Sequence, residues 1–307
     1  MNTTALRVTA STPADVPARE RVDLRVSTKL DGRAVAFDAH ASDAETDVQP
    51  AIDVLSVEKV YANGTHALRP VDLRIREGEF VTLLGPSGCG KSTLLKMIAG
   101  LEQPSDGRLM LWRKPVARLP ETGHTLSYVF QEATLMPWHT VHRNVRLPLE
   151  LAGVPAREAD ERVRDALALV GLDRFAHALP RELSGGMQMR TSIARGLVVR
   201  PDLLLMDEPF GALDEITRNR LDSDLLDLWK QQGLTVVFVT HSIHEAVFLA
   251  QRVVVMAARP GRIVDEVRID EPFPRDPTFR LSTRFSEYAM QLHESLVKAS
   301  ADSGELE

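Results

Sequence analysis

The 307 residues are enough for one large domain or two ordinary ones, and for a sizeable core. With 37 basic against 43 acidic side chains the net charge is −6, which excludes the strongly basic character of a general nucleic-acid binder. No apolar run reaches the roughly eighteen residues of a membrane span, and one cysteine, Cys89, excludes an intrachain disulfide framework or a cysteine-cluster zinc site. Residues 1–50 hold only Leu6, Leu24, Leu30 and Phe37 among Leu, Ile and Phe, too few for a core, and are expected to be disordered. Within them Val22, Leu24 and Val26 alternate ahead of Asp31-Gly32, a weak hairpin signal. Arg7 and Thr9 interrupt the only early apolar stretch, so no signal peptide is expected, and the cysteine usage fits a reducing compartment.

Alternating apolar residues from Ile52 to Tyr61, and again at Val71, Leu73 and Ile75, predict two half-buried strands. FVTLL at 80–84 is apolar without alternation, as in a strand covered on both faces, and it stops at Gly85. LLKMIAG predicts a helix closed by Gly100, and LSYVFQ at 126–131 a strand ending on Gln131. Residues 141–199 are helical in pattern. Next come LLLMD at 203–207, a helix striped by Leu221, Leu225, Leu228 and Trp229, TVVFVT at 235–240, a short helix, and RVVVMAA at 252–258. This alternation predicts a mainly parallel sheet flanked by helices. A turn at Arg259-Pro260-Gly261-Arg262 leads to a last helix that Asp276 and Pro277 are expected to start. Its apolar face carries Phe285, Tyr288, Ala289, Leu292 and Leu296, and it is expected to pack on the rest of the chain.

GPSGCGKST at 85–93 fits G-x-x-x-x-G-K-[ST] between a predicted buried strand and a predicted helix, the context that motif requires. Gly85, Gly88 and Gly90 let the backbone turn so that successive N–H groups face inward at a helix N-terminus, an anion nest. Lys91 adds a cation for the β- and γ-phosphates, and the Ser92 hydroxyl is placed to ligate Mg²⁺. The whole loop, Gly85, Pro86, Ser87, Gly88, Cys89, Gly90, Lys91, Ser92 and Thr93, is therefore assigned to nucleotide, with Cys89 at a tolerant position rather than a redox one. LLLMDE delivers Asp207 and Glu208 to the C-terminal end of a buried strand, where open α/β sheets place their chemistry. Asp207 is expected to hold Mg²⁺ and Glu208 to polarise a water in line with the γ-phosphate. In LSGGMQ at 183–188, Ser184, Gly185 and Gly186 precede a helical run, so a hydroxyl cap and bare backbone N–H groups make a second anion site.

In order, the phosphate loop, Gln131, LSGGM, LLLMDE, GALD at 211–214 and His241 after TVVFVT make the chain resemble ATP-binding cassette (ABC) ATPases over roughly residues 52–268. The resemblance implies an α/β P-loop nucleotide-binding domain with a mainly parallel sheet core, an antiparallel β subdomain and a helical subdomain at about 132–198. Residues 51–270 would form the ATPase and 271–307 a helical tail. It implies ATP and Mg²⁺, with Ser92, Gln131 and Asp207 at the metal, and Glu208, His241, Lys91 and Gln131 in catalysis. It also implies a head-to-tail pair of chains, ATP on Lys91 and Ser92 of one being covered by Ser184, Gly185 and Gly186 of the other, with Asp214 coupling the two sites. Tyr61, 24 residues before Gly85, would stack on the base; a core tyrosine is the competing reading. Met187 departs from the Gln that many family members have after S-G-G, at a contact that backbone groups carry.

Pro137-Trp138, LDEITRNRL at 213–221 and ARPGRI ending at 263 are similar to the ATPases of nitrate, sulfonate and taurine importers, a group that also serves pyrimidine precursors. That implies membrane permease subunits, indirectly a solute-binding protein, and a peripheral place on the cytoplasmic face of the inner membrane, with no nucleic-acid partner. Trp138 is either a buried core residue or an interface anchor. A soluble ABC ATPase of translation or DNA maintenance is the alternative. One phosphate loop, and only 93 positions between Lys91 and Ser184, speak against tandem cassettes and an inserted coiled coil.

Overall fold

Apolar five-residue runs bounded by glycine or acidic residues become the interior of the molecule. The computed structural model describes residues 50–211 and 213–301, so the expectations for residues 1–49, the weak hairpin among them, fall outside the described residues. The chain runs β1 (Pro50–Val60), β2 (His66–Arg76), β3 (Phe80–Leu84), α1 (Lys91–Ile98), β4 (Asp106–Leu111), β5 (Lys114–Pro115) and β6 (Leu126–Val129). It continues with α2 (Val141–Leu151), α3 (Ala156–Leu169), α4 (Gly185–Leu197), β7 (Leu203–Asp207), α5 (Glu215–Gln232) and β8 (Thr235–Thr240). The last elements are α6 (Ile243–Leu249), β9 (Arg252–Ala257), β10 (Arg262–Arg268) and α7 (Thr283–Ala301).

One sheet has the order β10-β9-β3-β8-β7-β6, parallel throughout except for β10, which runs antiparallel to β9. Every residue of β3, β7 and β8 is buried, which is why their sequences do not alternate. Phe80 and Leu84 of β3 enter a core shared with the helices α2 to α7, whereas Val81 and Leu83 face a second core with α1 and the other sheet. That second sheet, order β2-β1-β4-β5, is antiparallel. Register matters most for function. Leu84 pairs with Thr240, and Asp207 with Val239, so the C-terminal ends of β3, β8 and β7 lie side by side.

Three sequence expectations need correction. β4 and β10 were not expected: β4 pairs with β1 across a bulge between Leu55 and Glu58, where Gly107, at φ 88°, packs against the backbone of Ser56, and β10 is a charged edge strand with little apolar alternation. The strand over LSYVFQ ends at Val129, two residues short of Gln131. The region 141–199, helical in pattern, holds three helices, α2, α3 and α4. Asp276 starts a 3-10 turn over Pro277–Leu281, its carboxylate accepting from Thr278 N, and α7 begins only at Thr283, where Ser282 Oγ accepts from Phe285 N. Phe279, Phe285 and Leu292 then join the main core, so this helix does pack on the sheet and its helices.

Candidate nucleotide site

The turn after β3 is built by close backbone approach. A Cβ on Gly85 would stand 2.5 Å from Met256 O and 2.7 Å from Cys89 Sγ; Gly88 and Gly90 take φ of 78° and 91°. Cys89 is fully buried under the loop, which corrects the expectation of a tolerant position: its sulfur is part of the packing that shapes the turn. Burial pushes its thiol up, so it stays protonated. Gly90 caps α1 without a side-chain acceptor, leaving the first-turn amides of Lys91, Ser92 and Thr93 beyond the reach of the helix's own carbonyls. Ser87 and Gly88 are exposed at the rim. The turn at 259–262 also braces this loop: a Cβ on Gly261 would lie 2.4 Å from Cys89 O, and Arg69 N donates to Gly261 O at 2.8 Å.

Three strand ends deliver the side chains. Lys91, buried, donates from Nζ to Gly85 O at 2.8 Å and Pro86 O at 2.9 Å, and stands 3.8 Å from Glu208 Oε1. Ser92 Oγ donates to Asp207 Oδ1 at 2.8 Å. Hydroxyl and carboxylate are hard oxygen donors of the kind Mg²⁺ takes, so this pair fits that ion. Glu208 follows β7 at φ 47°, a left-handed conformation that costs a non-glycine residue about 1 to 3 kcal/mol. Its other oxygen, Oε2, is 3.1 Å from His241 Nδ1, just beyond β8. Asp214 caps α5, accepting from Thr217 N at 2.9 Å, and that hydrogen bond holds its carboxyl below the usual range.

Other expected residues stand apart. Gln131 is exposed and makes no hydrogen bond to the Ser92–Asp207 pair. Ser184 caps α4 through Met187 N at 3.3 Å; it and Gly185 are exposed, and no hydrogen bond joins them to their own chain's phosphate loop. Tyr61 follows β1 and is 37% exposed, which excludes the core-tyrosine reading. Its hydroxyl lies 3.3 Å from both Thr93 Oγ1 and Glu102 Oε2, with Lys59 Nζ 5.2 Å from the ring centroid. Trp138 is 70% exposed, which excludes the buried alternative.

Sequence reasoning missed Tyr128, whose hydroxyl donates to Asp207 Oδ2 at 3.1 Å. Burial, with Asp207 beside it, pushes that hydroxyl well above the usual phenol range and keeps it a donor. The only signal was its place on β6, three residues before Gln131.

A family model described as ABC transporter matches residues 68–211. Over 210 residues the chain is 50% identical to a taurine import ATP-binding protein of Rhizobium johnstonii, covering 68% of this chain and 79% of that one. The chain belongs to the ABC transporter family. An aliphatic sulfonates import ATP-binding protein of Bacillus licheniformis is 42% identical over 224 residues, 72% of this chain and 86% of that one. Among solved structures, a dimeric ATP-binding cassette in a post-hydrolysis state bound to ADP and Pi is similar with TM-score 0.66 and 34% identity. It matches 72% of this chain and 100% of its own length. Membership in this family makes the chain an ATP hydrolase, its α/β fold a P-loop nucleotide-binding domain.

Proposed function

We propose that this ABC ATPase is the ATP-hydrolysing subunit of a membrane importer for a small solute, working as a head-to-tail pair beneath its permease subunits. The observation that carries the reading is the convergence of Lys91, the Ser92–Asp207 pair and the Glu208–His241 pair where β3, β7 and β8 end side by side. In this reading Gly85 to Thr93 wrap the phosphates, Lys91 neutralises the β- and γ-oxygens, and Ser92, Asp207 and Gln131 hold Mg²⁺. Held there, the ion would supply Lewis-acid stabilisation of the charge that builds on the phosphate oxygens. Glu208 takes the proton of the attacking water, His241 contacts the γ-phosphate, and Asp214 faces the second copy. Ser184 and Gly185, both exposed, with Gly186 beside them, supply the partner's site with a helix N-terminus in place of an arginine finger.

Tyr61 carries the base. Stacking is worth about 1 to 3 kcal/mol, so Tyr61→Ala is expected to weaken ATP binding roughly tenfold to a hundredfold by calorimetric titration. Since stacking discriminates little between bases, GTP is expected to bind as well; an unchanged affinity in the variant would remove Tyr61 from the site.

The importer reading draws on the two import relatives and on the exposed Trp138 beyond Gln131, an aromatic of the type that anchors interfaces. Among the described residues no helix is long and apolar enough to cross a membrane, so the spans would belong to the permease and this subunit would sit peripherally on its cytoplasmic face. The solute would be a nitrate-, sulfonate- or taurine-like anion or a pyrimidine precursor, handed over by a solute-binding protein. Purification from membranes through a tag on this subunit is expected to bring down a permease. Trp138→Ala should reduce that recovery severalfold while the free subunit hydrolyses ATP as before. Recovery of ribosomes or soluble partners alone would favour a non-transport ATPase.

A further inference from the structure

Behind His241 lies a buried carboxylate that nothing above uses. Glu245, only 5% exposed, is on the first turn of α6. The Thr240 hydroxyl donates to its Oε2 in a short contact, and accepts in turn from Ser242 N at 2.9 Å, so the residues on both sides of His241 are fixed to one point. Glu245 N donates to Ser242 Oγ at 3.3 Å, closing the same loop from its other end. Glu245 Oε1 faces Arg218 Nε at 3.4 Å across the gap to α5. Arg218 is itself tied to the segment that ends in Asp214: its Nη2 donates to Leu213 O, and its backbone N to Asp214 O, each at 2.9 Å. Asp222, one turn further along α5, has its own cation in Arg280. The burial of Glu245 pushes its carboxyl up, while Thr240, Arg218, His241 and Arg280 pull it back.

We propose that Glu245 is a positioning residue for ATP hydrolysis, joining the Leu213–Asp214 segment to the backbone on both sides of His241 through Arg218 and Thr240. Two loops that flank Glu208 then move as one body, so a displacement of the Asp214 segment carries His241 with it. A buried ion pair spanning two elements suits that task, because removing one partner leaves the other charge uncompensated and frees both loops. The inference adds to the proposed pairing of two chains, since contact with a second copy at Asp214 would be felt at His241.

The test is a double-mutant cycle on the intact chain, with kcat and KM for ATP read separately. Glu245→Gln, which keeps an oxygen for Thr240 and removes the charge facing Arg218, is expected to lower kcat on the order of tenfold with KM within about twofold. Arg218→Met should do the same, and the double variant should be no worse than either single one. Thr240→Ser should retain the parent's kcat, whereas Thr240→Val should match Glu245→Gln. Multiplicative losses in the double variant, a KM rise that accounts for the whole effect, or a fall in melting temperature with kcat unchanged would each overturn the proposal. The cycle is run at one protein concentration. Failure of the paired-chain reading would appear separately, as a parent rate strictly linear in protein concentration.

Discussion

Glu208→Gln is expected to bring ATP turnover down by about 10² to 10⁴, the range that a general base contributes, while ATP binding becomes tighter rather than weaker. The two effects have one origin. The Glu208 carboxylate stands 3.8 Å from Lys91 Nζ and 3.1 Å from His241 Nδ1, the two groups proposed to meet the γ-phosphate. The anion of the side chain therefore occupies the Lys91 ammonium and the His241 ring nitrogen that the anion of the substrate needs. Amide for carboxylate keeps the shape, removes the competing charge, and cannot accept the proton of water. A variant dimer loaded with ATP and unable to discharge should accumulate, visible by gel filtration with ATP and absent with ADP. Turnover within tenfold of the parent would sink the assignment of Glu208 as base, and weaker ATP binding would sink the competition argument.

How far the sequence reached is decided by where each signal is stored. β3, β7 and β8 were readable because a strand covered on both faces reads as a mostly apolar run without alternation, and Phe80–Leu84, Leu203–Asp207 and Thr235–Thr240, buried at every residue, do. Asp207 ends such a run, Glu208 and His241 directly follow one, and Lys91 closes the glycine-rich loop after another, so chain order alone put them at the same edge. What local pattern could not show is pairing across the sheet. Tyr128 is an ordinary strand tyrosine until β6 is set beside β7, when its hydroxyl meets Asp207. Glu245 and Arg218 belong to different helices 27 residues apart, and nothing at either place marks the other. Gly261 reads as one residue of a surface turn, whereas it is the only way for that turn to touch the Cys89 carbonyl. β10 escaped because an edge strand needs no second apolar face.

The arrangement in trans meets its sharpest test at Gly185. A Cβ there meets nothing within 4 Å, so the folded chain has room for a side chain. Gly185 is also the first residue of α4, where a carboxylate facing the helix N-terminus stabilises by about 0.3 to 1 kcal/mol. Gly185→Glu is therefore expected to leave the melting temperature unchanged or slightly raised, and ATP binding by the isolated chain unaltered, because Ser184 and Gly185 make no hydrogen bond to their own phosphate loop. In a head-to-tail pair the same carboxylate would face the partner's γ-phosphate, with like-charge repulsion where the donors should be. Turnover should then fall by at least about 10²-fold, in line with the 10³ to 10⁵ that a charge donor supplied in trans is worth in related P-loop enzymes. The parent's activity should rise more than linearly at low protein concentration, and the variant's should not. If Gly185→Glu weakens ATP binding to the single chain, Ser184 and its neighbours act in cis. If it leaves turnover intact, the exposed N-terminus of α4 has no part in the reaction.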